Sequence, residues 1–173
     1  WTFANFGEDL LAWQQNGKIY TWDTSGGMTS TNRATAVSNA PTANRLGLMT
    51  APDRHVVCFG TETTIGTTST QDDLFVRWAD QESTTDWTPT ATNTAGSQRL
   101  AGGSRIECAL LAKRQVLIWT DANLFAMQFV GPPFTFGFNQ LATNCGTVGP
   151  HSAVDISGVT YWMSKDSFFM YDG

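Results

Sequence analysis

A short apolar motif that ends on an aromatic residue occurs four times in the sequence, and it limits the possible folds more than any other feature. The copies occupy residues 10–13, 56–59, 116–119 and 159–162 and end on Trp13, Phe59, Trp119 and Trp162, at spacings of 46, 60 and 43 residues. A turn signal and a second strand pattern rich in aromatic residues follow each copy. A repeat of roughly 40–50 residues with about four strands is typical of the blades of a β-propeller.

The third copy, within residues 104–130, shows how each unit should fold. Apolar side chains at positions 106, 108 and 110 have the period-2 spacing of a strand with one buried face. All four residues of 116–119 are apolar, so this strand is predicted at the centre of its sheet. After a polar turn at 121–123, Phe125, Met127 and Phe129 share one face. We therefore predict a three-stranded antiparallel meander that needs a neighbour on both faces.

The whole sequence predicts an all-β, propeller-like fold of repeated three- to four-stranded antiparallel blades. Blade-like units cover about residues 1–23, 45–80, 104–130 and 151–173, with long polar connections at 24–44 and 81–103. Only 14% of the residues are charged, too few to solvate the outer faces of many helices. Residues 1–173 are expected to be one propeller-type domain or part of one, because the sequence has no initiating Met and stops at the end of a strand pattern.

Two turns and four tryptophans give more local predictions. Asn16-Gly17 lies between apolar runs and predicts a type I′ hairpin turn, in which both central residues have positive φ. Ser157-Gly158 predicts a second turn. Trp13, Trp22, Trp119 and Trp162 recur in the strand patterns and are predicted to pack in the core rather than stack on sugars or bases.

Charge and cysteine content narrow the function classes. The net charge of −5 argues against wrapping nucleic acid through a basic patch. Three cysteines are an odd number, and Cys58 and Cys108 lie in strand patterns where Cys acts as a small apolar residue, as in a protein made in a reducing cytoplasm. No apolar run is long enough for a membrane helix, and no motif predicts a cofactor.

The sequence of residues 74–100, together with 119–121, 128–134 and 161–163, resembles the β-propeller-type tail proteins of short-tailed bacteriophages. These are the nozzle or tail-hub proteins, also described as DNA-stabilisation proteins. The resemblance implies a non-enzymatic virion component, assembled in the host cytoplasm as a homo-oligomeric ring of six below the portal and adaptor. Such a ring closes the channel on packaged DNA, which passes without sequence-specific binding, and opens for ejection. The family's full members are much longer, so their gating element is expected outside these residues.

If the chain belongs to such a ring, its contacts with other proteins should come from apolar segments that cannot join a blade. Two segments fit this description, 80–89 around a tryptophan and 132–138 with its prolines and phenylalanines. The predicted interface residues are Asp80, Gln81, Glu82, Asp86, Trp87, Pro132, Phe134, Phe136 and Phe138. The alternative is that both segments fold back on their own domain.

Other chemistry has weak support in the sequence, and no catalytic, cofactor or metal site is predicted. His151 and Ser152 near Asp155 are a possible hydrolase set, but adjacent strand residues point to opposite faces. The acidic residues Asp72, Asp73, Asp80, Glu82 and Asp86 lack the spacing of a calcium loop. The alternative function is a carbohydrate-binding or glycosidase propeller, although the strand interiors offer almost none of the paired carboxylates that a glycosidase needs.

Overall fold

The computed structural model describes residues 1–113 and 115–173, and within them the chain is built from β-strands. The first sheet contains β1 (Thr2–Phe6), β2 (Asp9–Trp13), β3 (Ile19–Trp22) and β4 (Thr35–Ala36), and the second contains β5 (Leu46–Met49), β6 (Val56–Phe59), β7 (Phe75–Trp78) and β8 (Gly96–Arg99). The third contains β9 (Ile106–Leu111), β10 (Val116–Thr120), β11 (Asn123–Gly131) and β12 (Thr135–Thr143), and the fourth contains β13 (Ala153–Ile156), β14 (Val159–Met163) and β15 (Phe168–Tyr171). The only helical elements in the described part are 3-10 turns at Thr24–Gly26 and Thr68–Thr70. No helix among the described residues is long and apolar enough to cross a membrane.

Each sheet is an antiparallel meander in which neighbours in sequence are neighbours in space. The third sheet follows the sequence pattern closely, with β10 between β9 and β11 and buried at all five positions. Leu117 pairs with Leu110 on one side and with Ala126 on the other. The predicted all-β class and the predicted antiparallel units are therefore confirmed, and the arrangement is consistent with a propeller-like fold.

The first strands of the four sheets lie side by side around a shared groove. Strand β1 contacts β5, β5 contacts β9, and β9 contacts β13. Phe3, Leu48, Leu110 and Ala153 line this groove, one from each first strand, and its volume is about 370 Å³. Among the described residues, β13 and β1 make no contact of comparable extent. The four sheets therefore form an arc around the groove that their own contacts do not close.

The sheets pack face to face, and their cores lie between successive sheets. We call the face that a sheet turns toward the next sheet in the chain its forward face, and the opposite one its rear face. Leu11, Trp13 and Ile19 on the forward face of the first sheet pack on Val56 and Cys58 on the rear face of the second. The Trp13 indole N–H donates to the Cys58 sulfur at 3.3 Å. A close approach at this contact requires Gly47, because a Cβ there would lie 2.1 Å from the Trp13 indole nitrogen.

The other two cores repeat this arrangement. The forward face of the second sheet, with Val57, Phe59, Val76 and Trp78, packs on a rear face that includes Ile118 and Phe125 of the third. The forward face of the third sheet packs on the fourth, where the rings of Trp119 and Trp162 lie 5.4 Å apart. Trp13, Trp119 and Trp162 are thus buried as predicted, whereas Trp22 is only partly buried. Trp162 is also not equivalent to the other motif aromatics, because it projects from a rear face.

The two predicted turns differ in outcome. Ser157 and Gly158 both have positive φ, so the predicted turn between β13 and β14 is confirmed, with the backbone of a type I′ hairpin. At Asn16-Gly17 the hairpin is present, but only Asn16 has positive φ and the loop closes between Gln14 and Lys18. The predicted type I′ turn is wrong there, because the longer loop lets Asn16 alone adopt the left-handed conformation that asparagine tolerates.

The predicted units are too short, because the sequence patterns do not predict the outer strand of three sheets. Strands β4 and β8 lie in segments predicted as connections, 24–44 and 81–103. Strand β12 lies beyond the predicted end of the third unit at residue 130. Strand β4 is short and β8 is polar, so hydrogen-bond pairing with a neighbouring strand stabilises them more than their own side-chain pattern does. Strand β12 has an apolar pattern, but the prolines that precede it argued against a strand.

Candidate functional site

The first predicted interface segment belongs to a loop of residues 79–95 that joins β7 to β8. Its one large aromatic residue, Trp87, is buried between the first two sheets. The Trp87 indole N–H donates to the carbonyl oxygen of Thr84 at 2.7 Å. The side chain therefore anchors the loop to its own domain, which is the alternative that the sequence left open, and it is not available to a partner in this conformation.

The polar members of this segment hold the loop or face solvent. Gln81 and Glu82 are exposed, and Glu82 pairs with Arg54 at 2.8 Å. Asp86 is also exposed, and its carboxylate accepts a hydrogen bond from the Asn93 amide at 3.1 Å. Asp80 accepts two hydrogen bonds from Thr94, one from its backbone N–H at 2.7 Å and one from its hydroxyl at 2.6 Å. Although burial alone would raise the pKa of Asp80, these bonds outweigh it, and the pKa lies below its usual value.

The second predicted segment does join a sheet, which corrects the expectation that residues 132–138 lie outside a blade. Pro132 and Pro133 occupy the turn after β11, where no ladder hydrogen bond is needed, and β12 can start at Thr135 immediately after them. Phe136 is buried in the core between the second and third sheets, and Phe138 packs against that core. Phe134, at the turn, is 76% exposed.

The structure brings the two segments together. The Thr135 hydroxyl donates to the carbonyl oxygen of Thr94 at 3.0 Å, and the Trp78 indole N–H donates to the same oxygen at 2.8 Å. The Phe136 ring meets Trp78 edge-on at 5.2 Å. The β11–β12 turn therefore packs on the 79–95 loop, and its surface is formed by the exposed members of both predicted segments. These members are Gln81, Glu82, Asp86, Pro132 and Phe134.

A buried row of polar side chains, Asp53, His55 and Thr94, lies beside this surface. The sequence did not predict it, because only His151 of the two histidines was considered there. His55 is fully buried, and its Nδ1 lies 3.0 Å from the Asp53 carboxylate. Its Nε2 lies 3.0 Å from the Thr94 hydroxyl. The rings of Phe129 and Phe136 flank the imidazole at 5.8 Å and 5.0 Å. The sequence signal was Asp53 two residues before His55, immediately before the buried strand β6.

The row has the composition of a hydroxyl–imidazole–carboxylate triad, but its hydrogen bonds oppose nucleophilic chemistry. The only proton of the Thr94 hydroxyl is directed to Asp80 at 2.6 Å, and the Gln81 N–H donates to the same hydroxyl at 3.0 Å. His55 Nε2 must therefore donate to Thr94, and it cannot accept the hydroxyl proton as a general base would. The row thus connects the turn before β6 to the loop after β7.

A groove opens beside this row, between the second and third sheets. It has a volume of about 510 Å³. Its apolar wall includes Val116, Met127 and Phe129, and its polar rim includes Asp53 and Gln81. The volume is within the range of small-ligand pockets. A small polar molecule in the groove would contact an aromatic ring and several polar groups.

The other chemistry considered from the sequence is dispersed. His151 is exposed, the Ser152 hydroxyl donates to the carbonyl oxygen of Gly149 at 2.6 Å, and Asp155 accepts from Thr160 at 3.0 Å. The acidic residues of 72–86 have separate partners, for example Arg99 for Asp72. Within the described residues, no group of three or more His, Cys, Asp or Glu side chains is placed to hold a metal ion.

The three cysteines have a structural role in the core. Cys58, Cys108 and Cys145 are free and buried, and burial raises the pKa of the Cys108 thiol to about 12. Neutral thiols are poor nucleophiles and poor metal ligands, so these residues act as small apolar core residues, as predicted for Cys58 and Cys108.

No protein-family model and no curated protein matches the chain.

Proposed function

We propose that this chain is a non-enzymatic structural protein of a short phage tail, where it forms part of the nozzle or hub ring that closes the DNA channel and permits genome ejection. The sequence resemblance of residues 74–100 supplies the setting, and the propeller-like fold agrees with it. The observation that carries the proposal is apolar exposure on sheet faces. Phe168 on the last strand is 83% exposed and Phe3 on the first is 61% exposed, which is typical of surfaces that other proteins cover.

In this proposal the chain works in an assembly inside the virion. It forms a homo-oligomeric ring, of six copies by the family resemblance, and contacts the portal, the adaptor and other tail proteins. Packaged DNA passes through the ring without sequence-specific binding, and the net charge of −5 supports this because it weakens attraction to phosphates. The exposed residues Gln81, Glu82, Asp86, Pro132 and Phe134 form a surface for such contacts.

Antibody labelling of virus particles tests this function. Antibodies against the purified chain should label the tails of short-tailed particles from the source sample in negative-stain electron microscopy. Pre-absorption of the serum with the chain should remove the label. Absence of the chain from purified particles, or labelling of the capsid shell alone, would contradict the tail assignment.

The groove beside His55 favours a second candidate, a carbohydrate-binding domain. Phe129 is 45% exposed and could stack on a sugar ring, with Gln81 and Asp53 as hydrogen-bonding groups. Binding to a glycan array that disappears in Phe129→Ala, but not in Phe134→Ala outside the groove, would support this candidate. No binding on the array would leave the tail function as the better proposal.

A further inference from the structure

The forward face of the fourth sheet is apolar and uncovered. Val154, Tyr161 and Met170 are paired across β13, β14 and β15 and form one cross-strand row. Met163 and Phe168 form a second row beside it. The rear face of the same sheet, by contrast, is packed on the third sheet through Trp162 and its neighbours. The fourth sheet therefore presents large apolar side chains on both faces, as a sheet buried on both sides would.

The uncovered face is large enough for a specific interface. Its exposed members range from 43% for Tyr161 and Met163 to 83% for Phe168, with Val154, Ile156 and Met170 between them. At on the order of 200 Å² for a large side chain, they expose roughly 600 Å² of apolar surface. This is at the upper end of the largest patch on an ordinary monomer, and it approaches the ~800 Å² that each partner buries in a standard interface.

The rear face of the first sheet is uncovered as well. Phe3 pairs with Ala12, and Ala12 pairs with Tyr20, so these side chains share the face turned away from the second sheet. Trp1, which is 57% exposed, stacks on Phe3 with ring centres 6.3 Å apart and contacts Tyr20 at 5.9 Å. The strand positions on this face and on the forward face of the fourth sheet include no Asp, Glu, Lys or Arg.

All three contacts between sheets in this chain join a forward face to a rear face. The fourth sheet has the only unpaired forward face and the first sheet the only unpaired rear face among the described sheets. The chain does not join these two faces to each other, since both are exposed. We infer that the forward face of the fourth sheet docks on the rear face of the first sheet of a second copy of this chain.

This contact between two molecules has the same forward-to-rear arrangement as the contacts between successive sheets within one chain. It is a head-to-tail contact, and such contacts close into rings when the rotation between copies permits. Two copies that make it reciprocally would place eight sheets around one axis, within the four to eight of known propellers. The expected assembly is therefore a closed dimer with both apolar faces buried.

The inference rests on the self-association that the proposed function includes, and it names the surfaces involved. A ring of six copies would then consist of three such dimers, joined through other surfaces. The two fail separately, because antibody labelling of particles tests the tail function while the mass of the purified chain tests the contact. A head-to-tail dimer in a protein absent from phage tails would keep the inference and remove the function.

The test uses two double variants, each of which places charges on one face. Phe168→Glu with Met170→Glu places charges on the forward face of the fourth sheet and should prevent docking there. Trp1→Glu with Phe3→Glu does the same for the rear face of the first sheet. All four side chains are exposed, so circular dichroism and thermal unfolding should show a folded protein in each case. Light scattering after size exclusion gives the mass of each variant alone and of their equimolar mixture.

A head-to-tail contact predicts that the unmodified chain is a dimer and that each double variant alone is a monomer. Their mixture should form a one-to-one heterodimer, because one variant retains an intact fourth sheet and the other an intact first sheet. A monomeric unmodified chain would overturn the inference, and so would a double variant that still dimerises alone or a mixture that stays monomeric.

A matched control changes exposed apolar residues outside both faces. Met28→Glu with Val130→Glu alters side chains that are 93% and 57% exposed. This variant should dimerise as the unmodified chain does. If it is monomeric, the copies meet through another surface and the inference is wrong.

Discussion

At the scale of single residues, the core is defined by tryptophans whose indole N–H groups differ in their hydrogen bonding. Trp162 donates to the carbonyl oxygen of Cys145 at 2.8 Å. Trp119 is completely buried, and its N–H finds no acceptor among the described residues. The two rings are in contact, so Trp119 contributes through packed area alone, whereas Trp162 combines packing with a hydrogen bond.

This difference predicts how substitution of the two tryptophans changes stability. Trp119→Ala should lower the free energy of unfolding by about 3–5 kcal/mol, as for other large core truncations. Trp119→Phe should be less harmful than Trp162→Phe, because only the latter leaves a buried carbonyl without its donor. Urea unfolding measures the free energy of unfolding of all three variants. Equal losses for the two Phe variants would show that the hydrogen bond contributes nothing.

At the scale of elements, the 79–95 loop shows how a polar connection becomes part of the core. Trp87 anchors its middle, and Thr94 near its end binds both Asp80 and His55. The Thr94 hydroxyl therefore connects the two ends of the loop to the buried His55, which precedes β6. Loops with such contacts are ordered in spite of their composition, as packed excursions generally are.

Removal of this hydroxyl should loosen the loop. Thr94→Val keeps the shape of the side chain but leaves His55 Nε2 without its partner and removes the hydroxyl hydrogen bond to Asp80, and it should destabilise the protein by about 1–3 kcal/mol. Proteolysis within residues 80–94 should become faster under native conditions. The control is Thr92→Val, an exposed threonine of the same loop, which should change neither quantity. An unaltered proteolysis rate in Thr94→Val would mean that Trp87 alone holds the loop.

At the scale of the whole molecule, several carboxylates connect loops to sheets while ionised. Burial alone would raise the pKa of Asp121, but hydrogen bonds from the Ser104 hydroxyl and backbone outweigh it, and the pKa is below its usual value. The same holds for Asp80 with Thr94 and for Asp72 with Arg99. Since these carboxylates belong to the second and third sheets and their loops, their protonation affects much of the arc.

These lowered pKa values predict acid sensitivity. A carboxyl group with a lowered folded-state pKa contributes stability that is fully present above its unfolded value of about 3.9 and is lost as pH falls through the folded value. The urea midpoint should therefore fall between about pH 5 and pH 2, and Asp121→Asn should reduce this pH dependence. Asp166→Asn, in the exposed turn before β15, serves as the control and should leave it unchanged. A midpoint that does not fall on acidification would contradict the prediction.

The periodic apolar patterns determined the fold class and most inner strands. Alternation at 106–110 and the continuous apolar run at 116–119 identify their strands because burial of one or both faces leaves a direct record in the residue types. The burial of Trp119 followed from the same pattern. The site was less predictable, because the partners of His55 lie 2 and 39 residues away and only folding brings them together.

The sequence by itself determined that this chain is all-β, that it repeats, and where its central strands lie, because periodicity is a local property of the residues. Only the tertiary structure decided that Trp87 and Phe136 face inward, that residues 135–143 form an edge strand, and that the first and fourth sheets each keep an apolar face uncovered. Those outcomes depend on which face meets which neighbour. Residues distant in the sequence set that choice by competing for the same buried surface.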